Sequence, residues 1–344
     1  MSAWREYLVP VVVFALVGLL PAVLSQYWLH IVILILMWAF LSSAWNILGG
    51  FAGQHSLGHG LFMGIGAYLT AYMANTFALN PWISLVLGAL LAGLAGAFVG
   101  YATFRSGIKG AYFALVTIAI TEAAVYVVSN WRALGQASGL SVPLVGTGLS
   151  RLQFDSKAGF FYIILVLALL AVLLSQWLSR RRFGYRLIAV RENEEAAEAL
   201  GVDTLMTKIQ ATALSAALCA VGGTFYVQYF TYVEPRSVFG ETISIQILLY
   251  SIIGGLGTVW GPIVGAAVLV PIAEWVRGTF GQTLSGLNVF VYGAILVLVM
   301  LFMPRGIVGV ARSLERRIRP RREGVEPAAS SAGAGDTARE RGGA

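Results

Sequence analysis

The chain has 344 residues, 58% of them hydrophobic and only 11% charged, with a net charge of +7. Soluble globular proteins carry about 25% charged residues, so a fold of this length has too little polar side chain to cover a water-facing surface. That excludes a soluble enzyme or a nucleic-acid-binding domain, and the 40 glycines fit membrane helices, where glycine is more frequent than in soluble ones. The lone cysteine, Cys219, lies in an apolar run and offers no disulfide framework or cysteine metal cluster.

A bilayer core of about 30 Å takes roughly 20 apolar residues per helix. Stretches of that kind lie near 8–25, 29–48, 56–74, 82–101, 111–129, 159–178 and 209–229. Two shorter apolar pieces follow within 243–276, and a last span covers 287–303. The first stretch has no small-residue cleavage site and reads as a retained helix, not a signal peptide. The fold class expected is an all-α polytopic membrane protein of about eight to ten transmembrane helices. Its membrane domain runs over 1–303, and 304–344 forms a basic tail.

Lys and Arg concentrate in three places: Arg105 with Lys109, the set Arg180, Arg181, Arg182, Arg186, Arg191 and Lys208, and the tail from Arg305 onward. The positive-inside rule sets all three in the cytoplasm with both termini. Only Arg132, Arg151, Lys157, Arg236 and Arg277 then fall outside. Between the loop 179–208 and the tail the chain must cross an even number of times, so 243–276 either crosses twice or enters and returns. Gly254, Gly255 and Gly257 break that segment ahead of Gly261-Pro262. Freed backbone groups inside apolar sequence are tolerated only where protein or water covers them. Such breaks mark transport sites, although a hairpin packed through small residues accounts for the same glycines. In the tail, Arg312, Arg316, Arg317, Arg319, Arg321 and Arg322 are expected to meet anionic headgroups at about 1 kcal/mol each. The Ala-, Ser- and Gly-rich remainder has the composition of disordered chain.

Within the loop 179–208, Glu192-Asn-Glu-Glu-Ala-Ala-Glu-Ala-Leu-Gly201 reads as one short helix, with acids in its first turn and Gly201 as its stop. Two turns are marginal alone in water. Ala196, Ala197 and Leu200 are expected to form a docking face on it, with an ordinary solvated loop helix as the alternative.

Glu195-Ala196-Ala197 followed by Gly201 resembles the EAA loop of ABC importer permeases, whose coupling helix fits a cleft in the ATPase subunit. Lys208-Ile-Gln-Ala-Thr replaces the usual continuation, and with Arg191-Glu-Asn-Glu it resembles the branched-chain amino acid (LivH/LivM) permease family. Four further stretches are similar to the LivM-like branch, in order. They are Asn46-Ile-Leu-Gly-Gly-Phe-Ala-Gly-Gln54 with Ser56-Leu-Gly-His59 and Gly64-Ile-Gly-Ala-Tyr68; Gly110-Ala-Tyr112-Phe-Ala-Leu-Val-Thr117 with Glu122; Ile253-Gly-Gly-Leu-Gly-Thr-Val-Trp-Gly-Pro262; and Met303-Pro304-Arg-Gly306. Gly135-Gln-Ala-Ser-Gly139-Leu departs from the Thr-Gly-Gly form common there.

The resemblance implies a permease subunit of an ABC importer in the bacterial inner membrane, carrying branched-chain amino acids (Leu, Ile, Val) or similar small amino acids. Its implied partners are ABC ATPase subunits, a LivH-like permease subunit and an extracytoplasmic solute-binding protein. No cofactor, metal or enzymatic activity is implied, and the sequence has no Gly-x-x-x-x-Gly-Lys-Ser/Thr loop to bind ATP itself. The coupling residues implied are Arg191, Glu192, Glu195, Ala196, Ala197 and Gly201. A urea or short-amide permease shares Ser-Leu-Gly-His and the Gly-rich region and stands as an alternative. A stand-alone channel or ion-coupled carrier is a further one, though it needs no coupling helix.

Ionisable residues inside a membrane are costly and mark function by default. Glu122, with Thr117 and Thr121 beside it, either lines a path and meets a substrate ammonium or packs against a neighbouring helix. His55 and His59 are spaced to share a helix face, but a catalytic zinc needs three protein ligands and no Glu sits between them. His59 and Gln54 instead satisfy backbone groups at a broken helix entry or line the pore, and Asn46 and Ser56 carry the same two readings. The candidate path is thus Asn46, Gln54, Ser56, His59, Tyr112, Thr117, Glu122, Gly254, Gly255 and Gly257. Glu274 and Arg277 are expected to form a surface ion pair.

Overall fold

The computed structural model describes residues 3–280, 290, 293–294 and 306–309. The expected last span at 287–303 and the tail lie outside the described residues apart from those few. The described chain is helical almost throughout. It comprises α1 (Ala3–Val17), α2 (Gln26–Asn46) with a π-helical turn Ile47–Phe51, α3 (His59–Phe77), α4 (Pro81–Arg105), α5 (Ala111–Asn130) and α6 (Lys157–Leu178). Two short helices follow, α7 (Arg182–Glu192) and α8 (Glu194–Ala199), then α9 (Thr204–Phe230), α10 (Pro235–Phe239), α11 (Glu241–Gly254) and α12 (Gly261–Phe280). Within the described residues seven stretches are apolar and long enough to cross a bilayer: Gln26–Phe51, Pro81–Arg105, Ala111–Asn130, Lys157–Leu178, Thr204–Phe230, Pro235–Gly254 and Gly261–Gly278. The fold is an all-α polytopic membrane protein.

The starts and stops follow local chemistry. Asn80 caps α4 by accepting the Trp82 N–H at 3.0 Å, and Pro81 occupies the first helical position. Ser156 caps α6 and Asp203 caps α9 in the same manner. The segment 243–276 belongs to two stretches long and apolar enough to cross, α10 with α11 and then α12, which lie on either side of the Gly254–Gly261 break. The first of these stretches begins earlier than the hydropathy pattern indicated, at Pro235, and is itself interrupted at Gly240.

α2 sits at the centre and is buried on nearly every side from Ile31 to Phe51, as befits a helix apolar all round. It packs on α6, α9, α11 and α12, while α3, α4 and α9 form a second tightly packed group. Small residues make this contact possible. A Cβ at Gly66 would meet the Ala220 carbonyl, and one at Gly223 would meet the Met63 carbonyl, so the α3 and α9 backbones touch there. On α4, Gly88, Ala92, Gly96 and Gly100 form a buried stripe four residues apart facing α3 and α9. Lipid tails are as apolar as leucine side chains, so close packing of this kind holds membrane helices together.

Two ends result. At one, Lys109 after α4 and Lys208 at the start of α9 converge on α8. At the other, a two-residue strand β1 (Leu140–Ser141) pairs antiparallel with β2 (Tyr232–Val233). There also Lys157 donates to the Gln26 carbonyl at 3.2 Å and Arg151 to the Ala78 carbonyl at 3.4 Å. The clustered basic residues of the middle loops therefore share the α8 end, and the isolated ones share the β1–β2 end.

Gly66→Val is expected to force α3 off α9 and lower the melting temperature of the detergent-solubilised chain by several degrees. Gly278→Ala, where a Cβ meets nothing within 4 Å, should leave the melt unchanged. Equal melts for both variants would exclude the backbone contact as a stabilising element.

Candidate functional site

The broken segments named by the sequence meet at the α8 end. The π-helical turn Ile47–Phe51 brings Gly50 against the Gly254–Thr258 break. The Asn46 side chain closes the two together: the Gly257 N–H donates to Asn46 Oδ1 at 2.9 Å, and Asn46 Nδ2 donates to the Thr258 carbonyl at 2.9 Å. One amide thus satisfies a donor and an acceptor that the helix break sets free. Gly257 takes a φ of +67°, a left-handed conformation that favours glycine. Gly306 also lies here, where a Cβ would stand 2.6 Å from the Gly255 Cα.

Arg191, the last basic residue of α7, reaches into this junction. Its Nη1 donates to the Gly50 carbonyl at 3.0 Å, and Nη2 and Nε hold the Glu192 carboxylate at 2.6 and 3.1 Å. A cavity of about 480 Å³ lies alongside, between Arg191, His55, Gly49, Gly53, Ile252 and Leu256.

The expected single helix over 192–201 is two helices. Glu192 ends α7, and Asn193 leaves helical geometry and caps α8 by accepting the Ala196 N–H at 3.0 Å. An asparagine side chain suits that turn better than helix interior, which splits the run. Ala197 is also corrected: it is buried and faces inward, while Glu195, Ala196 and Leu200 are exposed, Leu200 to 86%. Gly201, at φ +84° and with nothing within 4 Å of a Cβ, ends the helix.

Glu194, absent from the sequence-based candidates, is the anchor of α8. Its carboxylate bridges Lys208 at 2.6 Å and Lys109 at 3.4 Å, and the Lys208 ammonium lies 4.8 Å from the Phe104 ring centre. Burial works against ionisation of Glu194, but the Lys208 hydrogen bond and charge, with Lys109 behind them, hold its carboxyl below the usual range. Fourteen residues separate Glu194 from Lys208 across a turn, so no helical spacing signalled the pair.

Inside the bundle, the remaining polar candidates brace the entry to α3. Trp45 Nε1 donates to the Ser56 carbonyl at 2.8 Å, Ser56 Oγ accepts the Gly58 N–H at 3.1 Å, and Thr117 Oγ1 accepts the Leu57 N–H at 3.0 Å. Gln54 is half-buried and donates to the Ala52 carbonyl at 3.1 Å. His59 is fully buried with Nε2 at 2.7 Å from Ser215 Oγ, and Ser215 in turn donates to the Ala44 carbonyl. The serine proton being committed, His59 donates through Nε2 and leaves Nδ1 a bare acceptor. His55 sits in the coil before α3, exposed, so the two histidines do not share a helix face. No cluster of metal-ligating side chains occurs among the described residues. Glu122 is half-buried on α5 and makes no ion pair among the described residues, while Tyr112 on the same helix is 74% exposed. Glu274 and Arg277 pair at 2.7 Å, as expected.

The profile of the family described as branched-chain amino acid transport system / permease component matches residues 27–300. The chain belongs to that permease family. It is 28% identical to the high-affinity branched-chain amino acid transport system permease protein LivM of Escherichia coli K12, over 90% of this chain and 76% of that protein. A probable LivM of Methanocaldococcus jannaschii is 26% identical over 72% of this chain and 78% of its own. The autoinducer 2 import system permease protein LsrC of Salmonella typhi is 27% identical over 68% and 70% respectively. No solved structure matches significantly. In this LivM-related permease Asn46 and Gly50, the Gly254–Thr258 break, Gly306 and Arg191 of the middle loop therefore meet at one junction, while Thr117 packs on the entry to α3.

Because the Glu194 carboxyl is held low, its hold on α8 is complete above the ordinary carboxylate range and is lost as pH falls through the lowered value. Hydrogen exchange of 194–200 is expected to stay slow at neutral pH and to accelerate in acid, after allowance for intrinsic rates. Glu194→Gln should exchange fast at every pH, and a wild-type-like pattern in that variant would exclude the anchoring role.

Proposed function

We propose that this permease is the LivM-like subunit of an ABC importer in the bacterial inner (plasma) membrane. Together with a LivH-like permease it forms the path for branched-chain amino acids (Leu, Ile, Val) or similar small amino acids. The observation that carries this reading is the family match over 27–300. The LivM relatives, named for that transport, support the choice of solute. An extracytoplasmic solute-binding protein delivers the substrate at the β1–β2 end, and separate ATPase subunits drive transport from the α8 end. The segregation of basic residues supports cytoplasmic termini and a cytoplasmic α8.

The geometry around α8 supports a coupling role. Glu195, Ala196 and Leu200 protrude from a helix anchored through Glu194, so an ATPase cleft has both a surface to grip and a firm point to push against. Asn193 is the single residue between α8 and α7, and Arg191 of α7 holds the Gly50 carbonyl. Closure of the ATPases on α8 then moves α7 and, through Arg191, the junction of Asn46, Gly50 and Gly254–Thr258. Glu122 lies on α5, whose outer face carries Tyr112, Leu115 and Tyr126 exposed among the described residues, and it fits the wall of a path shared with the second permease.

Two substitutions test this. Leu200→Asp is expected to cut leucine uptake in reconstituted importer by about tenfold or more, with normal insertion, because a buried unpaired charge at the centre of an interface is costly. Unchanged uptake would remove α8 as the coupling element. Glu122→Gln should shift substrate affinity or uptake several-fold if the carboxylate meets the passing ammonium. Wild-type transport by that variant would reduce Glu122 to helix packing.

A further inference from the structure

At the β1–β2 end a second cavity, of about 430 Å³, lies between α2, α9, α10, α11 and α12 of this one chain. Small-molecule sites occupy about 300–1,000 Å³. One part of its wall is apolar, with Leu34 and Met37 from α2 and Val270 from α12, and Trp38 packs on Tyr250 with ring centres 5.5 Å apart. Another part is charged. Glu274 and Arg277 neutralise each other at 2.7 Å. Glu234 and Arg236, which flank Pro235 at the start of α10, line the same cavity and have no ion-pair partner among the described residues. Thr242 and Gln246 carry polar side chains down α11, one helical turn apart. Gln246 stands eight residues before Gly254, about 12 Å along the helix, so the polar lining descends well into the span.

Arg236 is exposed, and Glu234 is half-buried with its carboxylate accepting the Ser237 N–H as the cap of α10. The pair therefore stands at the mouth of a cavity with an apolar wall and leaves room for something that compensates both charges. A single ligand does so when it carries one ammonium and one carboxylate on an apolar body. We propose that this cavity binds a free α-amino acid zwitterion, with Arg236 taking the carboxylate, Glu234 the ammonium, and the Leu34, Met37 and Val270 surface the side chain. The choice of an amino acid over another zwitterion, such as an aminophospholipid headgroup, rests on the proposed transport function. The site itself is built by this chain alone. It is separate from the α8 junction and from Glu122, and it gives the subunit an outer holding site ahead of any path shared with a second permease.

The test is equilibrium binding of radiolabelled L-leucine to the full-length chain in phosphatidylglycerol nanodiscs, without ATPase or binding protein. Saturable binding is expected. It should weaken roughly tenfold or more in Glu234→Gln and in Arg236→Gln, because each leaves one ligand charge unpaired. Leucinol and 4-methylpentanoate, each lacking one of the two charges, should compete poorly, which tests the same recognition on unmodified protein. Absence of binding, equal affinity in both variants with unchanged melting, or full competition by either single-charge analogue overturns the proposal. So does loss of leucine binding when phosphatidylethanolamine is introduced, which assigns the cavity to a lipid headgroup. An assembled importer that takes up leucine while the isolated chain binds none refutes this site alone. An importer that ignores leucine refutes the transport reading instead.

Discussion

The structure depends on one side chain meeting a constraint the bilayer imposes. Inside a membrane every backbone group released from a helix must be satisfied by the protein. At the Gly254–Thr258 break the Asn46 amide does this from both sides, accepting from the Gly257 N–H and donating to the Thr258 carbonyl. Because that clamp comes from α2, the most buried helix, the break is fixed to the centre of the bundle and does not fray at its edge. The π-helical turn that follows Asn46 then offers the Gly50 carbonyl outward, and Arg191 takes it.

This places rigid and yielding parts side by side. The α3–α9–α4 group touches backbone to backbone through glycine and alanine, leaving little room for one helix to slide on another. The junction by contrast is made of a few hydrogen bonds bordering a cavity of about 480 Å³. Under the proposed coupling, motion delivered at α8 would meet the second kind of material first, since only Asn193 separates α8 from α7, whose last turn carries Arg191. Glu194 plays the complementary part, tying α8 to α9 and to the α4–α5 turn so that force on its exposed face is not lost in a loose loop.

The polar residues within the span divide in a way their chemistry alone did not announce. Asn46, Ser56 and Thr117 are consumed in bracing broken backbone, and His59 is held by the Ser215 hydroxyl. Glu122 forms no ion pair among the described residues and sits on a helix whose outer face they leave exposed. Arg236 was counted in the sequence only among the outer basic residues and Glu234 was not singled out, yet both line a cavity. Burial, hydrogen-bond demand and cavity lining separate these roles, and none of the three can be read from residue type.

The sequence by itself determined the class, most of the apolar spans, the clustering of basic residues and the family. Those follow from hydropathy over about 20 residues, from charge position and from short contiguous motifs. It also marked the glycines at 254, 255 and 257 as a break, because glycine and proline act locally on the chain. Only the tertiary structure decided that the stretch around 243–276 forms two span-length units, that Asn193 divides 192–201 into two helices, and that Ala197 faces inward. It alone paired Glu194 with Lys208, Asn46 with Gly257 and His59 with Ser215. Those contacts join residues 14, 211 and 156 positions apart. Periodicity reports which face of a helix is apolar, but which neighbour that face meets is settled by packing of the whole bundle.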